Sequence, residues 1–333
     1  MVKILHGNQS GITEFILLGF GDLPELHIFL FLVFLVIYLV TVAGNLLIII
    51  VVVADEHLHT PMYFFLGNLS CLETCYTTTI LPRMVASFIC MDITISVSGC
   101  ITQFYFFCSL ASTETWLLAV MSYDRYLAIC RPLHYATIMN IKCCFQLVFV
   151  AWISSFLATW ILAFLMSRLY FCGPNEIDHF FCDFTPMAKL SCSDTAPMEL
   201  ASLVFGFMFA AMPFLLTITF YICIIDTILN ISSTIGRQKA FSTCSSHLIV
   251  VCIFYGTIII VYMLPDTPTL RDLNKVFSVF YTVLTPLVNP LVYSLRNKEV
   301  HKALRRIYSK LDIFARSWSN LSFTFTVFSQ SRS

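Results

Sequence analysis

The sequence predicts an all-α membrane protein, a seven-transmembrane helix bundle followed by a short amphipathic eighth helix. Of its 333 residues, 58% are hydrophobic and 11% are charged, whereas soluble domains average about 25% charged residues. Seven runs are also long enough to cross a bilayer, which takes roughly 20 mostly apolar residues. Such unbroken runs favour helices over the short alternating segments of a β-barrel. This composition excludes most soluble enzymes.

The predicted spans divide the chain into four parts. The spans at 28–54, 143–167 and 200–225 contain no Asp, Glu, Lys or Arg at all. The other four, at 61–81, 93–123, 240–264 and 276–295, are mostly apolar, with single ionisable interruptions at Glu73, Glu114 and His247. We therefore expect an extracellular N-terminus at 1–27, a seven-span domain at 28–295, a membrane-surface helix at 296–311 and a cytoplasmic tail at 312–333.

The distribution of charge predicts the orientation and excludes one class of partner. Cytoplasmic loops carry an excess of Lys and Arg, and an external N-terminus places 13 of the 19 basic residues inside, although the first inner loop, 55–60, contains none. Asn8 begins an Asn-Gln-Ser sequon and predicts glycosylation on the outer side. No leader with a cleavage site precedes the first span, so we expect no signal peptide. The 19 acidic residues balance the basic ones, which argues against a nucleic-acid partner.

The segment after the last span predicts a helix on the membrane surface. Val300, Leu304, Ile307 and Leu311 recur at helical spacing, and Lys302, Arg305, Arg306 and Lys310 lie elsewhere on the helix. A helix of this kind lies on the anionic inner leaflet, which makes membrane lipids expected partners. The Ser- and Phe-rich tail at 312–333 predicts disorder with phosphorylatable Ser and Thr.

Ionisable residues inside the spans indicate a functional polar core. Each is costly in hydrocarbon unless it is paired, protonated or facing water. Glu73 and Glu114 have no Lys or Arg at comparable depth, so they share a proton, bind a cation or lie in a wet cavity. Asn45 and Asn289 lie at similar depth and complete an oxygen-rich site. The alternative is two protonated carboxyls that hydrogen-bond the helices together.

Five of the fourteen cysteines can form disulfides. Most cysteines fall within spans or on the inner side, where Cys behaves as a small buried hydrophobe. Those that can lie on the oxidising side are Cys90, Cys100, Cys172, Cys182 and Cys192. Spacing alone does not assign pairs among them.

A series of motifs carries a family resemblance. Asp124-Arg125-Tyr126 follows Glu114 by about three helical turns, and Pro290 removes a backbone hydrogen bond near the end of the last span. The motifs are Gly44-Asn45, 58–63 (LHTPMY), 121–135 (MSYDRYLAICRPLHY), 239–248 (KAFSTCSSHL) and 286–293 (PLVNPLVY). In this order they resemble the olfactory receptors of the rhodopsin-like, G-protein-coupled class, in the tetrapod-type branch.

The resemblance implies a sensory receptor of the plasma membrane that is not an enzyme. Such a receptor binds a small odorant in an outer transmembrane cavity and activates an olfactory-type stimulatory G protein, which raises cAMP. The resemblance also pairs Cys100 with Cys182 and Cys172 with Cys192. Related receptors hold a sodium ion in the polar core, here at Glu73, Glu114, Asn45 and Asn289, and no other cofactor is expected.

The resemblance implies a set of coupling residues at the inner end. Arg125 and Tyr126 rearrange to admit the G protein, with Tyr221 and Tyr293 as partners, and the sixth span swings outward. The full set is Asp124, Arg125, Tyr126, Tyr221, Lys239, His247, Asn289, Pro290 and Tyr293. We expect His247 to be solvated or to contact the G protein. Phe220 departs from the family, which usually has Ser at that position.

The outer halves of spans three, five, six and seven are expected to line the ligand cavity. Counting from the matched motifs gives Phe104, Phe107, Cys108, Ala111, Ser112, Ser202, Phe205, Gly206, Phe209, Tyr255, Ile258, Ile259, Tyr262 and Thr282. This mostly apolar, uncharged set suits small neutral ligands held by burial and one or two hydrogen bonds. Helix packing is the alternative role for each residue. Tyr255 matches the family's switch position below the ligand.

Two other classes of membrane protein lack positive signals. A transporter of small solutes is the alternative function, but it is typically built from internal repeats or broken helix pairs, and the two halves show no repeat. An intramembrane enzyme needs a nucleophile and a base, or clustered metal ligands, at one depth. His247 has no such companions.

Overall fold

The computed structural model of the chain describes residues 12–19, 26–90, 93–263, 275–296 and 299–309, without the side chains of 239, 243, 262, 263 and 293–296. Some predictions lie outside what it describes. These are the Asn8 sequon, the tail at 312–333, and the side chains of Lys239, Tyr262 and Tyr293.

Long helices occupy all seven predicted positions. The first four spans are α1 (His27–Ala54), α2 (Pro61–Cys90), α3 (Val97–Cys130) and, after the short α4 (Pro132–Ile138), α5 (Ile141–Ser167). After the short α6 (Phe184–Lys189), the fifth span comprises α7 (Ala196–Gly206), a π-helical turn (Phe207–Ala211) and α8 (Met212–Leu229), and the sixth is α9 (Thr234–Met263). The seventh comprises α10 (275–279), a π-helical turn (Phe280–Leu284) and α11 (Thr285–Arg296), and α12 (299–309) follows it.

The second span differs in character from the others. Within the described residues, six helices are long and apolar enough to cross a membrane by length and composition alone, and α2 is not among them. It packs along the first and third spans, and its polar residues Glu73 and Thr77 are fully buried. The second span therefore turns its polar side inward, and the predicted seven-helix bundle is confirmed.

A small sheet that the all-α prediction did not include lies over one end of the bundle. Its order is β2 (Thr94–Ser96), β1 (Glu14–Leu17) and β3 (Glu176–Ile177). The central strand β1 is antiparallel to β2 and parallel to β3. Phe15 of β1 is fully buried and makes an edge contact with Phe171 at 5.1 Å between ring centroids. The N-terminal strand is thereby fixed to two loops.

Prolines in two spans free backbone carbonyls that neighbouring spans bind. Pro213 has no N–H to offer the carbonyl four residues earlier, and the hydroxyl of Thr115 in the third span donates to that carbonyl, of Phe209, at 2.6 Å. In the seventh span, Pro290 frees the carbonyl of Pro286, and the side-chain amide of Asn45 donates to it at 3.3 Å. Side chains from adjacent helices thus replace hydrogen bonds missing from the fifth and seventh spans.

The helix α12 is amphipathic, as predicted. Val300 and Ala303 are buried, and Leu304 and Ile307 pack against the bundle core, while Leu311 lies outside the described residues. We expected the basic side chains of α12 to face the anionic lipid, but Arg306 bonds the bundle. Arg306 donates through Nε to the carboxylate of Asp55 at 2.8 Å, because that carboxylate lies directly beside the buried face of α12.

Candidate functional site

Two disulfides define one end of the bundle, which we call the disulfide end. Cys100 at the start of the third span is bonded to Cys182, with 5.4 Å between Cα atoms. Cys172 is bonded to Cys192 within the same loop, at 5.9 Å. Both bonds are the ones that the family resemblance implies, and Cys90 is free and exposed. The loop between the fourth and fifth spans is therefore fastened over this end.

An aromatic cluster lies beneath that loop around Phe107. Its ring centroid lies 4.7 Å from Phe181 of the loop, 5.4 Å from Tyr76 of the second span and 6.0 Å from Tyr281 of the seventh. Phe107 itself is buried. The cluster joins three elements on the side of the third span where we predicted ligand contacts.

The other predicted lining residues separate into groups by burial. Cys108, Ala111, Phe205, Gly206, Phe209 and Ile258 are half-buried, whereas Ser112, Tyr255 and Thr282 are buried within the bundle. Phe104 belongs to a second cluster beneath the sheet, Ser202 hydrogen-bonds to the carbonyl of Glu199 on its own helix, and Ile259 is exposed.

An ion pair and a half-buried histidine lie at the loop near the aromatic cluster. Asp178 is ion-paired with Lys275 at the start of the seventh span. Burial lowers the pKa of His179 to about 3, with the charge of Lys275 acting in the same direction and that of Asp178 opposing it. The His179 ring lies 4.4 Å from that of Phe181, edge to face. The histidine is therefore neutral at physiological pH and adds no charge beside Phe181.

The predicted polar core is assembled in the middle of the bundle. Glu73, Asn45, Asn289 and Glu114 are all buried. The side-chain amide of Asn289 donates to Glu73, and Glu114 lies within electrostatic range of Glu73. Each of the four side chains keeps one oxygen with no hydrogen-bond partner among the described residues. The site thus contains unsatisfied acceptors and too few donors.

The opposite end of the bundle, which we call the Arg125 end, contains a buried ion pair. Arg125 Nε donates to Asp124 at 3.0 Å, and the hydroxyl of Tyr135 in α4 donates to the other Asp124 oxygen at 2.7 Å. Arg125 and Asp124 also line a small cleft together with Met62, Met121 and His247. The guanidinium is held by its own neighbour at the edge of this cleft.

The expectation of a solvated His247 is wrong. Its exposed fraction is 1%, and its Nδ1 is hydrogen-bonded to the hydroxyl of Tyr221 at 2.5 Å, which joins the sixth span to the fifth. The side chain turns into the bundle because it lies on the face of the sixth span that also buries Cys244 and Val251. In this structure Tyr221 bonds this histidine, and its expected partnership with Arg125 during coupling stays a prediction.

The structure also gives a place to the unusual Phe220. Its ring lies 5.3 Å from Tyr123 and 5.5 Å from Tyr126, centroid to centroid. The three aromatic rings pack the fifth span against the third beside Arg125. A serine at position 220 would leave this contact unfilled.

Comparison with known proteins identifies the family. Residues 34–311 match the olfactory receptor family. Human olfactory receptor 11A1 is 48% identical over 307 residues, which cover 92% of this chain and 97% of that receptor. Rat olfactory receptor 1f45 is 48% identical over 300 residues (90% and 96%), and human olfactory receptor 10A7 is 47% identical over 312 residues (92% and 99%).

The chain belongs to the olfactory receptor family. Membership makes it a receptor and not an enzyme. With its membrane-spanning helices, this olfactory receptor is a multi-pass protein of the plasma membrane.

Sequence reasoning missed several described residues of the receptor's candidate site, including Tyr76 of the second span. Phe181 and Tyr281 contact Phe107, and the backbone carbonyl of Thr115 accepts a hydrogen bond from the hydroxyl of Tyr255 at 3.3 Å. The position of Phe181 directly before Cys182 was an available signal, because the disulfide to Cys100 brings it to the third span. Tyr281 had no such signal, since it lies in a π-helical turn that changes which side chains face inward.

Proposed function

We propose that this olfactory receptor binds small, neutral, mostly apolar odorants at the disulfide end and activates an olfactory-type stimulatory G protein at the Arg125 end, raising cAMP. The observation that carries the proposal is the aromatic cluster of Phe107, which joins the disulfide-fastened loop to the second and seventh spans. Half-buried apolar residues of the predicted lining, including Ala111 and Ile258, supply contact area without charge. Apolar burial with one or two hydrogen bonds suits a neutral odorant.

The proposed orientation places the disulfide end outside the cell and the Arg125 end in the cytosol. Both disulfides then lie in an oxidising compartment. The excess of Lys and Arg falls on the inner side, as the positive-inside rule expects. This orientation also puts Asn8 where glycosylation occurs.

Activation in this proposal is a shift between two populations of the bundle. An odorant that binds the active state more tightly increases its share. Thr115 provides a connection between the ends, since it bonds the fifth span through Phe209 and the sixth through Tyr255. Coupling requires Arg125 to leave Asp124 and the sixth span to swing outward, a rearrangement of the helix-shift type.

The polar core fits a sodium ion in its donor set. Asn45, Glu73, Glu114 and Asn289 would hold it, because each has an oxygen without a partner among the described residues and hard cations prefer such ligands. When bound, sodium would supply positive charge to a pair of carboxylates that have no Lys or Arg beside them. The same residues would stabilise the inactive packing of the first, second, third and seventh spans.

Glu73→Gln and Glu114→Gln are expected to abolish sodium dependence. In wild-type membranes, replacing sodium with N-methylglucamine should increase odorant potency about fivefold or more, a typical coupling between two sites. Each Gln variant should lose this shift because the amide lacks the charge that holds the cation. Ser155→Ala, a buried polar change in the fourth span, should retain it. Equal sodium shifts in all variants would contradict the site.

The function itself is tested by screening an odorant panel for cAMP production. Cells express the receptor with an olfactory-type G protein, and control cells express the G protein alone. We expect neutral, apolar odorants to evoke cAMP only in the cells that express the receptor. Silence across the panel from receptor verified at the surface, or solute uptake without cAMP, would argue against the proposal.

Ala111→Phe is expected to abolish the response to an active odorant. Ala111 is half-buried one helical turn from Phe107, so a ring there would occupy the space in which we place the ligand. Ala86→Phe adds the same bulk on the exposed face of the second span and should respond normally. Concentration-response curves at matched surface abundance make the comparison, and an unchanged Ala111→Phe curve would exclude a ligand at this position.

A further inference from the structure

A buried carboxylate at the Arg125 end joins two segments that the proposed activation steps do not use. Asp55 directly follows the first span and is 6% exposed. Arg306 of α12, 251 residues later in the chain, donates to its Oδ2 at 2.8 Å. The backbone N–H of His57 donates to Oδ1 at 3.1 Å, and its ring Nδ1 lies 2.9 Å from the same oxygen. Both carboxylate oxygens are therefore engaged.

The charge on this carboxylate is maintained by its partners. Burial alone would raise the pKa of Asp55, but the hydrogen bonds from Arg306 and His57 outweigh it and hold the pKa at about 2. Asp55 is then ionised at physiological pH, and its bond to the guanidinium is a charge-assisted one. Such bonds are directional as well as strong.

The directional ion pair between Asp55 and Arg306 complements the apolar contact of α12. Val300 and Ala303 are buried under α12, and such burial stabilises docking without favouring one angle or register. Arg306 lies at the edge of this face with its side chain 35% exposed, whereas the adjacent Arg305 is exposed. The ion pair therefore selects one position among those that the apolar face alone would permit.

We propose that Asp55 is a positioning residue for G-protein coupling, which acts by holding α12 through Arg306 at the Arg125 end of the bundle. The inference rests on the proposed coupling function. The α12 helix begins three residues after the last residue of the seventh span, so holding it also restrains the inner end of that span. Without the ion pair, α12 would remain helical but would sample several positions at this end of the bundle.

The position of α12 is tested first, without ligand or G protein. In purified full-length receptor, Asp55→Asn and Arg306→Gln should accelerate amide hydrogen exchange across 299–309 by about tenfold, because the ion pair that holds α12 has been broken. Glu56→Gln and Arg305→Gln remove the same charges from exposed neighbours and should leave exchange unchanged. Asp55→Arg combined with Arg306→Asp should restore slow exchange. Identical exchange in Asp55→Asn and Glu56→Gln would overturn the proposal.

Coupling is tested second, at matched surface abundance. Asp55→Asn should lower the maximal cAMP response about threefold or more while leaving odorant potency within twofold, and the charge-reversed pair should restore the maximum. Faster exchange with an unchanged maximum would refute the role in coupling. If wild-type receptor never responds to an odorant, the proposed function fails, whereas the exchange experiment still reports on the ion pair.

Discussion

Replacing Cys100 with Ser should leave little of the receptor at the cell surface. Cys100 is fully buried and bonded to Cys182, 82 residues away. In the chain-entropy description, a bridge of that separation contributes roughly 4.5 kcal/mol, and the 20-residue bridge of Cys172 roughly 3.3 kcal/mol. Either value is a large share of the 5–15 kcal/mol (roughly) that typically stabilises a folded protein. Surface immunostaining and thermal stability in detergent measure the loss.

The cysteine variants should also rank in a definite order of surface abundance. Cys182→Ser and the Cys100→Ser/Cys182→Ser double variant should lose as much as Cys100→Ser, because all three lack the same bond. Cys172→Ser should lose less, and Cys90→Ser should behave as wild type, since Cys90 is free and exposed. Normal surface abundance of Cys100→Ser would show that the bridge does not support the fold.

Arg125→Ala should reduce odorant-evoked cAMP to the level of cells without receptor. Arg125 is 8% exposed, and its guanidinium bonds Asp124 at the edge of the cleft. The substitution removes the side chain that we propose meets the G protein. It also takes the guanidinium away from the buried Asp124 carboxylate, which keeps the hydroxyl of Tyr135. Breaking a buried ion pair in this way costs about 3–5 kcal/mol. Surface abundance must therefore be matched before cAMP is compared.

Arg131→Ala provides the matched control for Arg125. Arg131 is an exposed arginine that follows the last residue of the third span, so its loss changes the charge of the same region without breaking a buried pair. We expect this variant to respond to odorant. A full response from Arg125→Ala at equal surface abundance would place coupling elsewhere on the receptor.

The spans were predictable because their signal is continuous along the chain. The first span, His27–Ala54, and the fourth span, Ile141–Ser167, begin within two residues of the predicted starts at 28 and 143. Their positions were predictable because membrane thickness fixes a minimum apolar length. The sheet was not predictable. Its strands contain two to four residues, too few to display alternation, and their pairing joins segments far apart in sequence.

The candidate site was only partly predictable, for reasons particular to each residue. The motif residues Glu73 and Asn289 could be placed at one depth, and they are hydrogen-bonded. His247 appeared near a helix end, where solvent is the usual environment, but its partner Tyr221 lies on another span. The partner of Arg306 is 251 residues away, so no local pattern could indicate it.

The three-stranded sheet has a consequence for biosynthesis. Glu14–Leu17 leaves the ribosome first, but its partner Glu176–Ile177 follows about 160 residues later, roughly 8–30 s at usual elongation rates. During that interval the strand has at most one of its two neighbours, and its buried Phe15 lacks Phe171. A nascent receptor thus presents an unpaired strand edge until the loop between the fourth and fifth spans has been synthesised. Chains truncated before Glu176–Ile177 would therefore expose this strand edge permanently.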